Sequence, residues 1–264
     1  QEDIIGFNKS SVSVKWDPKN KVQKTEDVTI VASGSSDNDG TTIDFTLPQG
    51  VPLVMANGSI KTGAVSLKQG DKFHLEAKAN AVSGTYNTGN VGHAWKYQPL
   101  IITFPREDGH STQDVGKLQK RRDPNAQTSL SVKWMDFGSV ELKKINEKSE
   151  FIDGAKFVLK SFDAATGYDG DGIEYTVKNG KLLIDPVPVG TYTLTEVESP
   201  DHHAGTVPSF QVVVNKDQTT EQIVVNRLKP TGDLVINKLD QDTGAGIEGV
   251  EFTVYAADEI YDTV

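Results

Sequence analysis

Three side chains could react with one another if the chain folded them inward: Lys144, Glu196 and Asn226. In GTYTLTEVESP (190–200), a strand's alternation puts Tyr192, Leu194 and Glu196 on one side and Thr191, Thr193 and Thr195 on the other. A carboxylate that follows an aromatic ring and a leucine into a core is costly unless something there needs it. In 140–146 the same test groups Val140, Leu142 and Lys144 on one face, opposite Glu141 and Lys143. In 222–228 the inward set reads as Val224, Asn226 and Leu228, although Ile223 and Val225 are apolar too and leave the other face open.

Enclosure changes what such groups are. Loss of water lowers an amine's pKa and raises a carboxyl's. A neutral amine is a nucleophile, and a protonated carboxyl can polarise an amide and relay protons. Against the Asn226 carboxamide, the expected reaction is transamidation. The Lys144 Nζ attacks Cγ, Glu196 shuttles protons, ammonia leaves, and an amide joins the first and last strands. The plainer arrangement of the same residues is a buried Lys–Glu ion pair with Asn226 as a satisfied neighbour. Pattern alone leaves both open.

The elements that must position these residues are strands. SVSVKW (11–16), DVTIVAS (27–33), TIDFTL (42–47), KFHLEAKA (72–79), PLIITF (99–104), KFVLKSF (156–162), FQVVVN (210–215) and QIVVNRL (222–228) are rich in Val, Ile, Thr and aromatics. Asn-Gly pairs at 57–58 and 179–180 mark turns between them. No segment keeps a helical apolar period for three turns. The chain of 264 residues is long enough for two or three domains, and many short strands predict an all-β class of tandem Ig-like sandwiches.

Composition narrows the function. A formal net charge of -10 argues against a nucleic-acid backbone as partner. The absence of cysteine excludes disulfides, zinc-thiolate sites, a cysteine nucleophile and a cysteine-based thioester. No apolar run is long enough to span a membrane. The chain opens at Gln1 without a signal-peptide pattern and closes at Val264 without a sorting tail, so trimming or processing is expected.

Residues 106–128 are polar and carry Lys117, Lys120, Arg121 and Arg122. They read as a linker or long exposed loop, a solvated charge run rather than an anionic-polymer site. Lys229-Pro230-Thr231-Gly232 reads as a second connector. A repeat relates 138–163 to 232–258, with the copies about 94 residues apart, the size of tandem Ig-like modules. In the second copy Leu234, Ile236 and Lys238 share a face, as Val140, Leu142 and Lys144 do in the first. A further SVKW echo at 11–16 and 131–134 is too short to interpret.

On these residues, 138–228 resembles a CnaB-type domain of Gram-positive surface proteins. SVELKKINEKSEFIDGAKFVLKSF matches the family's opening strand, turn and second strand, GTYTLTEVESP its glutamate stretch, and IVVNR its closing strand. The resemblance implies an intramolecular isopeptide bond, with the family's lysine at Lys144, its glutamate at Glu196 and its asparagine at Asn226. Asp201-His202-His203 departs from the acidic residue, Gly and Tyr of many members, in a loop expected to be exposed. Residues 230–264 resemble the start of another such module, with Lys238 in the lysine position and no glutamate or asparagine strand to serve it. Half a sandwich cannot cover its own apolar face, so its remainder is expected to have been cleaved, disordered or left out. Region 1–105 resembles the N-terminal domain of sortase-assembled pilins. Ile101-Ile102-Thr103-Phe104-Pro105-Arg106 stands where backbone pilins carry a linking lysine, and Arg106 is a poor nucleophile.

Other candidates carry less. Asp37-Asn38-Asp39-Gly40 and Asp169-Gly170-Asp171-Gly172 look like fragments of calcium loops without the distal glutamate, and read as acidic turns. His93 beside Trp95 and Tyr97 reads as core packing, with a small ligand-facing aromatic patch as the alternative. His202-His203 has no second ligand cluster. Lys9 and Lys15 lie on early strands, but no asparagine can be named for either. No motif of a turnover enzyme is present, and no cofactor or metal is expected.

The expected organisation is an N-terminal sandwich plus basic linker (1–128), a CnaB-type domain (129–229) and an incomplete module (230–264). The resemblance implies an extracellular, cell-wall-linked structural subunit of a pilus or stalk, ancillary or basal rather than backbone, joined by sortase to other subunits. The alternative is an adhesin whose N-terminal region binds a host matrix protein. An enzyme displayed on a stalk ranks behind both.

Overall fold

Alternation in the sequence becomes alternating burial in the strands. Thr42–Thr46 buries Ile43 and Phe45, Ala64–Lys68 buries Val65 and Leu67, and Lys72–Lys78 buries Phe73, Leu75 and Ala77. β-Branched and aromatic residues at every second position suit a pleated, half-buried surface, which is why these segments are strands. The structure is a computed structural model and describes residues 2–33, 41–102, 115–123, 128–229 and 232–254. It divides into two compact units, Gln1–Leu228 and Lys229–Val264.

The larger unit holds two hydrophobic cores. Around the first, Val115–Asp123, His93–Ile102, Glu2–Phe7, Val28–Ser33, Lys72–Lys78, Val22–Thr25 and Val14–Asp17 lie side by side. Thr85–Asn87, Ser131–Lys133 and Ser11–Val12 form a small second sheet, and Thr42–Thr46 pairs with Ala64–Lys68. Phe7 meets Phe45 and Phe73 edge-on, with ring centroids 5.8 and 6.5 Å apart, a favourable geometry for aromatic pairs. Gly58 takes φ 83° in the turn expected at Asn57-Gly58.

Two expectations about the middle of the chain are corrected. Val115–Asp123, read as part of a linker, is a strand pairing antiparallel with His93–Ile102 from Ile102↔Val115 to Ala94↔Asp123. A ladder needs only backbone groups, so a polar segment at a sheet edge forms one without an apolar pattern. Residues 130–134, grouped by the sequence with the CnaB-type module, contribute Leu130, Val132 and Trp134 to the first core. Ser131–Lys133 returns to pair in parallel with Ser11–Val12.

The cores meet through specific groups. Trp16, on a strand of the first sandwich, packs at 4.7 Å on Phe137 and belongs to the second core. Gln23 is fully buried; its Oε1 accepts from Met135 N at 2.9 Å and its Nε2 donates to Ala79 O at 3.4 Å.

The second core lies between two sheets. One places Phe137–Ile145 between Lys181–Pro188 and Thr219–Val225; the other orders Ile173–Thr176, Lys156–Lys160, Gly190–Glu198 and Phe210–Val214. The opening strand Phe137–Ile145 and the closing strand Thr219–Val225 run parallel, from Ser139↔Thr219 to Ile145↔Val225. Phe157, Leu159, Tyr168, Tyr192, Leu194 and Val214 fill the space between the sheets. The Tyr192 hydroxyl is satisfied by donating to Pro188 O at 2.7 Å. Asn179 and Gly180 both have positive φ, 53° and 70°, as a tight hairpin turn demands.

The smaller unit is described over 232–254. Asp240 Oδ1 accepts from Asp242 N and Thr243 N at 3.1 and 2.8 Å, Ile247 N donates to Lys238 O at 2.8 Å, and Leu239 bridges to Gly246. Leu234, Ile236 and Phe252 are exposed.

Candidate functional site

Burial in the second core follows the strand period down to its polar members. Phe137–Ile145 buries Val140, Leu142 and Lys144; Gly190–Glu198 buries Tyr192, Leu194 and Glu196. Near the end of the closing strand Val224, and just past it Asn226, point inward, while Ile223 and Val225 are exposed and Leu228 is half-buried. Lys144, Glu196 and Asn226 retain only 0, 3 and 2% of their surface in solvent.

The three meet at one point. Lys144 Nζ donates to Asn226 Oδ1 and lies 3.3 Å from Glu196 Oε1. Glu196 Oε2 accepts from Val207 N at 2.8 Å, and Oε1 faces the Lys144 amine. The Phe157 ring is 5.8 Å from Lys144 Nζ and closes the apolar side. Desolvation drives the Lys144 pKa below its usual value, and the facing Glu196 carboxyl only partly opposes it. The amine is thereby biased toward the neutral form, the one with a free lone pair.

Sequence reasoning missed the lid over this point. Asn226 Nδ2 donates to Gly205 O at 2.8 Å, Ser199 Oγ at 3.1 Å and Ala204 O at 3.4 Å. Two of those acceptors are carbonyls, which fixes the amide with nitrogen toward the 199–205 loop and oxygen toward Lys144. The loop is tied down by Ala204 N donating to Arg227 O at 2.7 Å and by the His203–Leu228 bridge. Ser199, three residues after Glu196, was the only visible trace of this lid; backbone carbonyls leave no mark in a sequence.

The remaining candidates fall elsewhere. Lys238 is exposed rather than turned inward, and Leu234 and Ile236 are exposed with it. Among the described residues, 232–254 belong to no sheet that could give these positions an inward face. His202 is exposed, but His203, expected in an exposed loop, is buried with Nδ1 2.7 Å from Asp201 O. Lys9 pairs with Glu26 and Lys15 is exposed. Asp169–Gly172 is a tight turn in which Gly172 N donates to Asp169 O at 3.1 Å. No group of three or more potential metal ligands occurs among the described residues. His93 is half-buried, but Asp37–Gly40, residues 103–106 and the side chains of Trp95, Tyr97, Lys120, Arg121 and Arg122 lie outside the described residues. Among the described residues no helix is long and apolar enough to cross a membrane.

Two family models match separate parts of the chain. Residues 138–229 match the SpaA family, a prealbumin-like fold domain, and residues 6–94 match the TED associated beta sandwich domain. A comparison with curated proteins gives no match. Solved structures with similarity include the Bacillus anthracis TIE protein, at 18% identity and TM-score 0.38 over 86% of this chain. This chain spans 41% of that protein's length. BcpA, the major pilin subunit of Bacillus cereus, aligns at 15% identity and TM-score 0.34, covering 87% of this chain and 71% of its own. Two domains of the major pilin SpaD from Corynebacterium diphtheriae align at 13% and 0.38, covering 86% of this chain and 99% of their own. The family matches carry the assignment. The chain has an all-β fold of tandem sandwiches, and residues 138–229 match the prealbumin-like fold domain.

Proposed function

We propose that Lys144 and Asn226 form an intramolecular isopeptide bond in a single turnover, with Glu196 as proton shuttle, and that the chain is a structural segment of a Gram-positive pilus or stalk. The observation that supports this most is the contact of Lys144 Nζ with Asn226 Oδ1, beside Glu196 Oε1 at 3.3 Å, in a site closed to solvent. A buried, desolvated amine against a carboxamide has a nucleophile, an electrophile and a carboxyl to move the proton. The reaction turns over once, so the product is a fastened protein and no substrate is released.

The role follows from where the fastening lies. The two residues sit at adjacent ends of the opening and closing strands, which tension along the chain loads first. A covalent tie between them shields the intervening residues from extension, and no reductant undoes it. The protein is extracellular and wall-linked in this reading, and its partners are other pilus subunits joined by sortase. An ancillary or basal position is favoured because Arg106 stands where a linking lysine is expected.

Single-molecule stretching of the whole chain tests the role. The residues from 144 to 226, a separation of 82, would add about 28 nm on full extension. The wild-type trace should lack that step, and the Asn226→Ala trace should contain it. A wild-type chain that releases the same length as the variant contradicts the proposal.

A further inference from the structure

The lid over Asn226 offers its side-chain nitrogen one acceptor more than a carboxamide can use. A carboxamide nitrogen has two hydrogens. Three oxygens face it: Ser199 Oγ at 3.1 Å, Ala204 O at 3.4 Å and Gly205 O at 2.8 Å. A nitrogen with three hydrogens, tetrahedral and positively charged, would satisfy all three. That species is the leaving group of transamidation just before it departs.

We infer that the 199–205 loop is a leaving-group pocket, in which Ser199 holds the departing nitrogen through the one side-chain oxygen of the trio. The inference rests on the crosslinking reading given under Proposed function. The atoms balance as follows. The Lys144 Nζ lone pair forms a bond to Asn226 Cγ, and the carbonyl electrons move to Oδ1. One Nζ proton passes through Glu196 to Nδ2, which then carries three hydrogens and a positive charge. The Oδ1 electrons re-form the carbonyl, the Cγ–Nδ2 bond breaks with its electron pair on nitrogen, and neutral ammonia leaves. Nζ keeps one hydrogen as the new amide. Three acceptors suit the intermediate better than the starting amide, whose two hydrogens fill only two of them at once, and stronger binding of the later stage accelerates the reaction. Carbonyls at two of the three positions make the pocket insensitive to side-chain substitution there, so Ser199 is where it can be tested.

Full-length chain made by cell-free synthesis, quenched at intervals and weighed intact, gives the rate of ammonia loss. Ser199→Ala should slow the loss about tenfold, the scale of one hydrogen bond. Ser199→Thr, which keeps the hydroxyl oxygen, should restore most of the rate. In a Lys144→Ala background, where no bond can form, Ser199→Ala should leave the melting temperature unchanged. Equal rates for wild type and Ser199→Ala, or a matching loss of melting temperature in the Lys144→Ala background, would overturn the pocket while leaving the crosslink intact. A wild-type chain that loses no ammonia overturns the crosslinking reading, and the pocket with it.

Discussion

Lys144 and Asn226 stand diagonally across a parallel strand pair: Lys144 is in register with Val224, and Asn226 lies two residues further on, on the same face. Same-face neighbours on adjacent strands are within side-chain reach, and a long lysine spans the diagonal easily. Glu196 arrives from the opposite sheet, on Gly190–Glu198. The reacting pair therefore belongs to one sheet and its proton carrier to the other, and the site assembles only when the sandwich has closed.

Loss of the tie should cost stability through the unfolded chain. Asn226→Ala leaves Lys144 facing Glu196 but removes the closure of a loop with a separation of 82 residues. Closing a loop of that length stabilises by about 4 kcal/mol in the chain-entropy account. Calorimetry should show a lower melting temperature for this variant. Lys144→Ala should fall further, because it also strands a buried carboxyl.

Glu196→Gln separates chemistry from structure. The amide oxygen can still accept from Val207 N, so the loop keeps its anchor. The shuttle is gone, and Lys144 and Asn226 should remain present but unjoined. Intact mass should match the full sequence mass with no ammonia lost, with the fold retained by circular dichroism. Glu196→Ala should show the same chemical defect.

The depressed Lys144 pKa has a signed consequence. Crosslinking needs the neutral amine, so its rate should rise with pH and level off below 10.5, the ordinary lysine value. In the uncrosslinked Asn226→Ala chain the unfolded state binds the proton more tightly than the folded one. Stability should then increase with pH from the folded Lys144 pKa up to 10.5 and flatten above it. Time courses by mass, and urea midpoints for the variant, read these two curves.

The first sandwich has its own acid-sensitive pair. Lys9 and Ser13 hold the Glu26 pKa down at about 2, from 4.5. A depressed carboxylate contributes stability above 4.5 that fades as pH falls through about 2. Glu26→Gln should remove that part of the acid dependence, read by urea denaturation over this range.

Gln23 is a structural test at the joint between the cores. Gln23→Ala strips partners from Met135 N and Ala79 O. Leaving buried backbone groups unpaired costs about 1–3 kcal/mol, visible as a lower denaturant midpoint.

The sequence exposed some of this architecture and hid the rest for definable reasons. Lys144 and Glu196 were legible because each closes an apolar row at strand spacing. Asn226 was harder, because Ile223 and Val225 are as apolar as its own neighbours, yet they are 64 and 44% exposed. Val115–Asp123 was hidden because its pairing runs through the backbone. The return of Ser131–Lys133 to Ser11–Val12 depends on a partner about 120 residues away, which local pattern cannot reveal. His203 was misplaced because its burial comes from the bridge to Leu228, not from its own segment. The lid over Asn226 is mostly carbonyl oxygen, common to every residue type.

The most direct measurement is the intact mass of the full chain, followed by peptide mapping. The account predicts a mass below the sequence value by one ammonia, with a branched peptide that joins Lys144 to Asn226. A chain at full sequence mass, with Lys144 and Asn226 recovered in separate peptides, would contradict it.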